Sequence, residues 1–268
     1  MKEDLWWAPY VRDFRGLSLL QEPVATINKN LPASTTIKDA AANLSISVNV
    51  PQYLLYLQEK ARSLGAKVIK ARLPVDAGLS NALTAAESHV MVNGRPRPDC
   101  FVNATGLGAK KLCCDEAIYP IRGQTVLVKG EAFGDRTQIG FEEEGHSAYC
   151  IPRPGSGMTI LGGTKDANVW DETVDPATTA KILERCKHIA PELLTGDDGG
   201  FEIISVQCGL RPGRKGGPRM EIESLAGKRV VHAYGHAGAG YQNSIGSAKA
   251  VVKLVRESIS SSSIIARL

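Results

Sequence analysis

The sequence predicts a mixed fold, α/β combined with α+β, in which a parallel-sheet module is interrupted by an antiparallel one. Three observations carry this prediction. Residues 45–73 follow a strand, helix, strand pattern, which favours a parallel sheet. Residues 123–165 alternate apolar and polar side chains on either side of a turn, as antiparallel strands do. Residues 228–258 pass from a strand through a glycine-rich loop into a helix.

The strand–helix–strand segment has recognisable boundaries. Ser45 to Val50 alternates like a strand, and Pro51 suits the first turn of a helix. The helix presents an apolar face made of Leu54, Leu55, Ala61 and Leu64. Gly65 ends it, and "AKVIKARL" then reads as a strand, with a further short strand in "DCFVNATGLGA". Residues 1–44 show no clear periodicity, and the stretch after "AKVIKARL" is poorly patterned.

The middle of the chain predicts antiparallel strands in "GQTVLVKG", "SAYCIPRP" and "MTILGGTK". The turn "PGSG" joins the last two as a hairpin. A helix follows, with Asp175 as its N-cap and Pro176 at its first position. The strands "FEIISVQCGLRP" and "KRVVHAYG" come next, then a helix over "YQNSIGSAKAVVKLVRES" and a flexible tail at Ser260 to Ser263. We therefore assign 45–122 with 203–268 to one domain, and 1–44 with 123–202 to the other.

Composition excludes several classes of protein. A net charge of +4 with 6% aromatic residues gives no stacking platform for nucleic acid. No stretch of about 18 apolar residues predicts a membrane span, and the charged N-terminus lacks the apolar core of a signal peptide. Six scattered cysteines without a C-x-x-C pair, and five histidines without metal-like spacing, predict free thiols in a reducing compartment and no metal site.

Small residues after two strands are the first candidates for chemistry. Val102 to Ala109 ends a strand where a ligand can approach the backbone, although a tight turn explains the same pattern. Gly235, Gly238 and Gly240 precede a helix whose first amides favour an anion or a polarised carbonyl. Close packing of helix on sheet is the equally weighted alternative for these glycines.

Two side chains are candidates for substrate contact. Arg211 follows the apolar "CGL" at a strand end, where a guanidinium can fork onto a carboxylate. Tyr149 lies among small and apolar residues, where a core role is the alternative. We interpret the neighbouring charged residues as a solvated face; they are Arg214, Lys215 and Arg219.

Five motifs, in order, resemble the D-amino-acid oxidase family of flavoenzymes, most closely its fungal members. They are "NATGLGAKKL", "PIRGQTVLVKG", "AYCIPRPGSGMTILGGT", "CGLRPGRKGGPR" and "VVHAYGHAGAGYQNSIG". The resemblance covers nearly the whole chain. It implies FAD as cofactor, a partial FAD-binding Rossmann-like module interleaved with a substrate domain, and oxidation of D-amino acids by dioxygen to 2-oxo acids, ammonia and hydrogen peroxide.

The resemblance also implies the site. Arg211 would hold the substrate α-carboxylate together with the Tyr149 hydroxyl, and the C-terminal helix start would face the flavin ring. The implied substrate residues are Tyr149, Lys165, Arg211, Gly238 and Gln242. The implied FAD residues are Leu73, Ala104, Thr105, Gly106, Arg211, Gly238, Ala239, Gly240, Tyr241 and Gln242.

The sequence departs from the family pattern in two ways, one bearing on substrate preference and the other on FAD binding. Lys165 occupies a position that is often aromatic in fungal relatives and basic in D-aspartate oxidases, which suggests acidic substrates. The G-x-G-x-x-G unit that binds the FAD pyrophosphate does not occur in these residues, so we expect weak FAD binding. A flavin-free remnant of the family is the alternative, and another amine oxidase of the same fold is a third interpretation.

The last three residues, Ala266, Arg267 and Leu268, resemble the peroxisomal address of which S-K-L is the standard form. They predict import into the peroxisome matrix through its receptor, with the cytoplasm as the alternative location. A homodimer is a further expectation, and neither nucleic acid nor a membrane is expected as a partner.

Overall fold

The structure is a computed structural model that describes residues 8–22, 24–31, 36–92, 94–141 and 146–265, with the side chains of 30 and 261–265 excepted. The predicted peroxisomal address, 266–268, lies outside the described residues. Within the described ranges, no helix is both long and apolar enough to cross a membrane.

Strands and helices alternate irregularly along the chain. The strands are β1 Arg12–Gly16, β2 Ala41–Leu44, β3 Phe101–Asn103, β4 Ile118–Lys129, β5 Arg136–Gln138, β6 Ala148–Arg153, β7 Met158–Gly162, β8 Asp166–Ala167, β9 Ile203–Arg214, β10 Arg219–Leu225 and β11 Lys228–Tyr234. The helices are α1 Val24–Asn30, α2 Val50–Ser63, α3 Gly78–Val92, α4 Ala109–Leu112, α5 Pro176–Ile189 and α6 Ser244–Ile265. Short 3-10 helices occupy Ala8–Tyr10, Gly106–Gly108, Pro191–Leu193 and Ala237–Ala239.

The chain forms two compact units. The first comprises Met1–Leu64, Gly123–Lys165 and Glu172–Gly209, and the second comprises Gly65–Arg122, Asp166–Asp171 and Leu210–Leu268. This division differs from the predicted domain boundaries at 45–64 and 203–209, which belong to the first unit, and at 166–171, which belongs to the second. That the units correspond to a substrate part and a cofactor part stays a prediction.

The first unit is built on an antiparallel sheet in which β5, β6, β7 and the C-terminal part of β4 are neighbours in that order. As predicted, the "PGSG" turn joins β6 to β7. Helix α5 packs on the sheet, and the Asp175 carboxylate caps it by accepting the amides of Ala177 and Thr178 at 3.2 and 2.9 Å. The shared apolar core consists of Val126, Val128, Ala132, Ala148, Cys150, Leu161, Ile182, Cys186, Ile189, Ala190 and Leu193.

The second unit is built on the sheet β10-β11-β3. β10 and β11 are antiparallel, and β11 and β3 are parallel, with His232 opposite Asn103 in the register. Leu73 packs against one apolar cluster of this unit, made of Leu79, Ala82, Leu83, Leu112 and Val230. Parallel and antiparallel pairing therefore occur together, which confirms the predicted mixed class.

Both strands predicted around helix α2 are wrong. After β2 ends at Leu44, the chain is held by side chains: the Ser47 hydroxyl donates to Asp135 Oδ1 at 2.7 Å, and Asn49 Nδ2 donates to the Pro154 carbonyl at 3.1 Å. Residues 66–73, "AKVIKARL", pair with no described strand, and a β-strand depends on a hydrogen-bonded neighbour. Helix α2 itself, with Pro51 in its first turn, is confirmed.

Other local predictions also need correction. The poorly patterned stretch contains helix α3, whose buried Leu79, Ala82 and Leu83 follow helical spacing. Strand β10 was not predicted, and β1, α1 and β2 lie in the segment without clear periodicity. Helix α6 begins at Ser244, three residues later than predicted, and contains the serine run that was expected to be a flexible tail.

Candidate functional site

Three predicted site segments meet in the second unit. They are the turn after β3, the end of β9 at Arg211 and Pro212, and the glycine loop after β11. A Cβ atom placed on Gly106 would lie 3.8 Å from Pro212 Cβ, and one placed on Gly238 would lie 3.7 Å from Arg211 Cδ. Because β3 and β11 are parallel neighbours, their following loops leave from the same sheet edge, where ligands of α/β proteins bind.

The turn after β3 is shaped by one buried side chain. Asn103 Oδ1 accepts both the amide and the hydroxyl of Thr105, at 3.2 and 2.8 Å. Gly106 then takes a φ of +57°, a left-handed conformation that favours glycine. Ala104 and Thr105 are exposed, so the turn presents its backbone and two small side chains to solvent.

The glycine loop after β11 combines one tightly packed glycine with two open ones. Gly235 has a φ of +88°, and a Cβ atom there would lie 2.7 Å from Arg214 Cβ. Gly238 and Gly240 are exposed, and no described heavy atom lies within 4 Å of a Cβ placed on Gly240. Gly235 therefore serves packing, whereas Gly238 and Gly240 leave space beside the backbone. That a ligand uses this space stays a prediction.

The rest of the loop leads into helix α6. Ala239 ends a 3-10 turn, and the exposed Tyr241 and Gln242 precede the helix start. His236 Nε2 lies 3.1 Å from the Ser247 hydroxyl, which ties the loop to the first turn of the helix. The loop conformation is therefore fixed at both of its ends.

A buried polar network lies beneath the loop, and sequence reasoning missed it. The Tyr234 hydroxyl donates to Asp115 Oδ2 at 2.9 Å and accepts from Arg219 at 3.1 Å. Arg214 Nε donates to the same carboxylate oxygen at 2.9 Å. Burial raises the pKa of Tyr234 to about 12, so the phenol stays protonated near neutrality.

The interpretation of Arg214 and Arg219 as a solvated face is wrong, whereas Lys215 is exposed. The Arg214 and Arg219 side chains are only 23% and 20% exposed, and both are ion-paired. Burial of Asp115 opposes its ionisation, but the hydrogen bonds from Arg214 and Tyr234 outweigh that effect and lower the pKa of this carboxyl. The sequence signal was weak because Asp115 lies 99 positions before Arg214.

Two predicted substrate residues belong to the first unit. Tyr149 is half-buried on β6, opposite Gly162 of β7, and its ring overlaps the space that side chains on Gly162 and Gly163 would fill. Lys165 is exposed and follows the buried Thr164. By contrast, Arg211, Gly238 and Gln242 belong to the second unit.

Metal chemistry and disulfides find no support in the described part of the chain. There, no group of three or more His, Cys, Asp or Glu side chains could hold a metal ion. All six cysteines are free thiols, as the sequence predicted.

Comparison with known proteins gives a consistent result. A family model described as FAD-dependent oxidoreductase matches residues 22–254. The D-amino-acid oxidase of Fusarium vanettenii is 37% identical over 216 residues, which cover 79% of this chain and 57% of that protein. The D-amino-acid oxidase of Schizosaccharomyces pombe is 34% identical over 249 residues, 90% of this chain and 64% of that protein.

A third relative and one solved structure extend the comparison. The D-aspartate oxidase of Talaromyces thermophilus is 35% identical over 210 residues, 78% of this chain and 52% of that protein. The crystal structure of iminodiacetate oxidase from Chelativorans sp. BNC1 aligns with a TM-score of 0.62 at 16% identity, over 96% of this chain and 67% of that one. That structure supports the fold alone. The chain thus spans between about half and two thirds of the length of these curated relatives.

Proposed function

The chain belongs to the FAD-dependent oxidoreductase family, and from this premise we propose that it oxidatively deaminates D-amino acids, with FAD as cofactor and dioxygen as electron acceptor. The products are a 2-oxo acid, ammonia and hydrogen peroxide. The observation that carries the proposal is the convergence of Arg211, the turn at 104–106 and the loop at 235–240 in the second unit.

The residues present fit the ring end of FAD. A flat ring system needs backbone that it can approach closely, and the exposed small residues Ala104, Gly238 and Gly240 provide it. The space beside Gly240 would hold part of the ring, and the turn at Thr105 and Gly106 would contact the cofactor further along. Tyr241, Gln242 and the start of helix α6 would donate hydrogen bonds to ring carbonyls.

The protein's part in the reaction is binding and orientation. Arg211 would form a bidentate pair with the substrate α-carboxylate. A contribution from the Tyr149 hydroxyl is implied by the family resemblance and stays a prediction. The carbonyl of Gly238 and the side chain of Gln242 would accept from the substrate amine, so that Cα–H is aimed at the ring. Bound FAD supplies the oxidation of the Cα–N bond and the delivery of electrons to dioxygen. No side-chain base is required.

The experiment that tests the proposal is peroxide formation by the purified chain with FAD in excess. We expect peroxide with D-amino acids and none with their L-enantiomers. A flavin-free remnant, the alternative, would neither quench FAD fluorescence nor form peroxide, and that result would reject the proposal.

We further propose that Lys165 favours acidic substrates. Its exposed ammonium is available to pair with the distal carboxylate of D-aspartate or D-glutamate. The similarity to a D-aspartate oxidase supports this preference. The test compares D-aspartate with D-alanine turnover before and after Lys165→Met, using Lys181→Met on helix α5 as the control. An unchanged ratio of D-aspartate to D-alanine turnover in Lys165→Met would show that this lysine does not set the substrate preference.

Location and assembly remain proposals as well. The residues Ala266, Arg267 and Leu268 would direct a peroxide-forming oxidase to peroxisomes through the import receptor. A protein tagged at its N-terminus, with the C-terminus free, should colocalise with a peroxisomal marker and should lose that location when the last three residues are deleted. The homodimer stays a prediction, which sedimentation of the purified chain would test.

A further inference from the structure

Asn103 is a buried side chain of the second unit with a hydrogen-bonding partner at every position. It is 4% exposed at the end of β3. Its Oδ1 accepts two hydrogen bonds from Thr105, and its Nδ2 lies 3.1 Å from both Cys113 Sγ and His232 Nδ1. A carboxamide has two donor hydrogens and one acceptor oxygen with two lone pairs, so all four of its bonding positions are used.

The Thr105 amide fixes which way round the Asn103 carboxamide lies. If the carboxamide were rotated by 180°, its NH2 group would face the Thr105 N–H, and two donors would oppose each other. The oxygen therefore faces Thr105, and the nitrogen faces the imidazole of His232.

The imidazole tautomer follows from the same argument. Because Asn103 Nδ2 donates, His232 Nδ1 must accept, and the ring proton must be on Nε2. Nε2 lies 2.8 Å from Glu223 Oε2, which accepts it. The His232 ring is 0% exposed.

Burial of His232 favours the neutral ring, whereas the charged groups that face it act in both directions. Burial lowers the pKa of the His232 imidazole, although the hydrogen bond to Glu223 acts in the opposite direction. Arg219 disfavours the charged form, whereas Glu221 and Glu223 favour it. On the β3 side, Asn103 contacts the ring, and Cys113 contacts the same Asn103 nitrogen. Tyr234, on the same strand as His232, lies edge-on with ring centroids 5.7 Å apart.

We propose that Asn103 and His232 act together as positioning residues for the cofactor turn. The imidazole, held as its Nε2–H tautomer, fixes the Asn103 carboxamide, and the carboxamide holds the Thr105 turn in the form that receives the cofactor. Neither side chain needs to touch the cofactor. The role toward FAD rests on the proposed function, whereas the tautomer and its control of the turn do not.

Protonation of His232 should release the turn. A doubly protonated ring presents Nδ1–H to the Asn103 NH2 group, and the two donors repel. Asn103→Asp offers a carboxylate in the same place, which can accept from Nδ1–H and from Thr105 at once. The wild-type turn should therefore loosen as the pH falls, and the Asn103→Asp turn should not.

The experiment measures three quantities on the full chain. They are the protection of the Thr105 amide from hydrogen exchange, the ring 15N shifts of His232, and the dissociation constant for FAD from quenching of flavin fluorescence. The variants are Asn103→Asp, Asn103→Ala and His232→Phe, with Val92→Ala as the control. Val92 lies at the end of helix α3 in the same unit and is 86% exposed.

We expect an unprotonated Nδ1 at neutral pH, and Thr105 protection that falls with acidification in wild type and persists in Asn103→Asp. His232→Phe and Asn103→Ala should lower Thr105 protection roughly tenfold, as the loss of one buried hydrogen bond does, and weaken FAD binding by a similar factor. Val92→Ala should change neither quantity.

A protonated Nδ1 at neutral pH, or unchanged Thr105 protection in a folded His232→Phe, would overturn the inference. If His232→Phe fails to fold, the inference is tested by comparing Thr105 protection at acidic pH between Asn103→Asp and wild type. A failure of the wild type to bind FAD would reject the proposed function and the role toward FAD, while the shifts and the exchange data would still decide whether the pair controls the turn.

Discussion

The sheets of the two units are supported in different ways. In the first unit, helix α5 covers the sheet with a contiguous apolar core. In the second unit, the residues around the predicted site are joined by buried polar contacts, such as Asn103 with His232 and Asp115 with Tyr234. Apolar packing tolerates small shifts, whereas hydrogen bonds fix direction. Directional contacts thus occur in the unit where the predicted site depends on the position of turns and loops.

The largest effect on stability should come from the apolar core of the first unit. Leu161→Ala removes a fully buried side chain from β7 and should lower the free energy of unfolding by about 2–5 kcal/mol. Urea denaturation measures it. Leu55→Ala is the control, because Leu55 is 60% exposed on helix α2 and should change the same quantity by about 0.5 kcal/mol or less. Equal effects of the two variants would contradict the assigned core.

A smaller effect is expected in the polar network of the second unit. Tyr234→Phe removes the hydroxyl between Asp115 and Arg219 and should lower the free energy of unfolding by about 1–3 kcal/mol, because its two hydrogen bonds to charged side chains are lost. Tyr241→Phe, at a side chain that is 51% exposed, is the matched control. If Tyr234→Phe were as neutral as its control, the network would not support the loop and the comparison of the two units would fail.

The smallest effect should be a pH dependence of the free energy of unfolding that comes from His232 in the second unit. The unfolded imidazole titrates near its ordinary pKa of about 6.5, and burial holds the pKa of folded His232 below that value. The unfolded state then binds more protons as the pH falls, so stability decreases below about 6.5 until the folded pKa is reached. His232→Phe should lose this part of the pH profile. Urea denaturation of both proteins between neutral and mildly acidic pH checks it, and parallel profiles would contradict it.

The features that the sequence predicted correctly are those specified by residues adjacent in the chain. The "PGSG" hairpin and the helix that begins with Asp175 and Pro176 are specified by adjacent residues, and both are confirmed. "AKVIKARL" has a suitable composition, but strand formation also requires a partner, which composition does not reveal. The helix at 78–92 carries a signal in the sequence, because its buried Leu79, Ala82 and Leu83 follow helical spacing.

In the candidate site, too, local motifs were predictable from the sequence, whereas contacts between distant residues were not. The glycines and Arg211 were found because motifs identified them, and the structure brings Gly238 next to Arg211. The residues that hold these groups in place were missed, because Asn103 and His232 are 129 positions apart and Asp115 and Tyr234 are 119 apart. Only the parallel register of β3 with β11 brings the first pair together.

The most direct test of the proposed function is the kinetics of Arg211→Ala, because this guanidinium is the predicted anchor of the substrate carboxylate. Peroxide formation would be followed with excess FAD and a D-amino acid, and compared with Lys215→Ala, whose exposed side chain is the control. Loss of a bidentate charged pair, at about 2–5 kcal/mol, should raise KM or lower kcat/KM by roughly 30-fold or more. Lys215→Ala should match wild type. An Arg211→Ala protein with unchanged KM and kcat/KM would contradict the assignment of Arg211 and the site built around it.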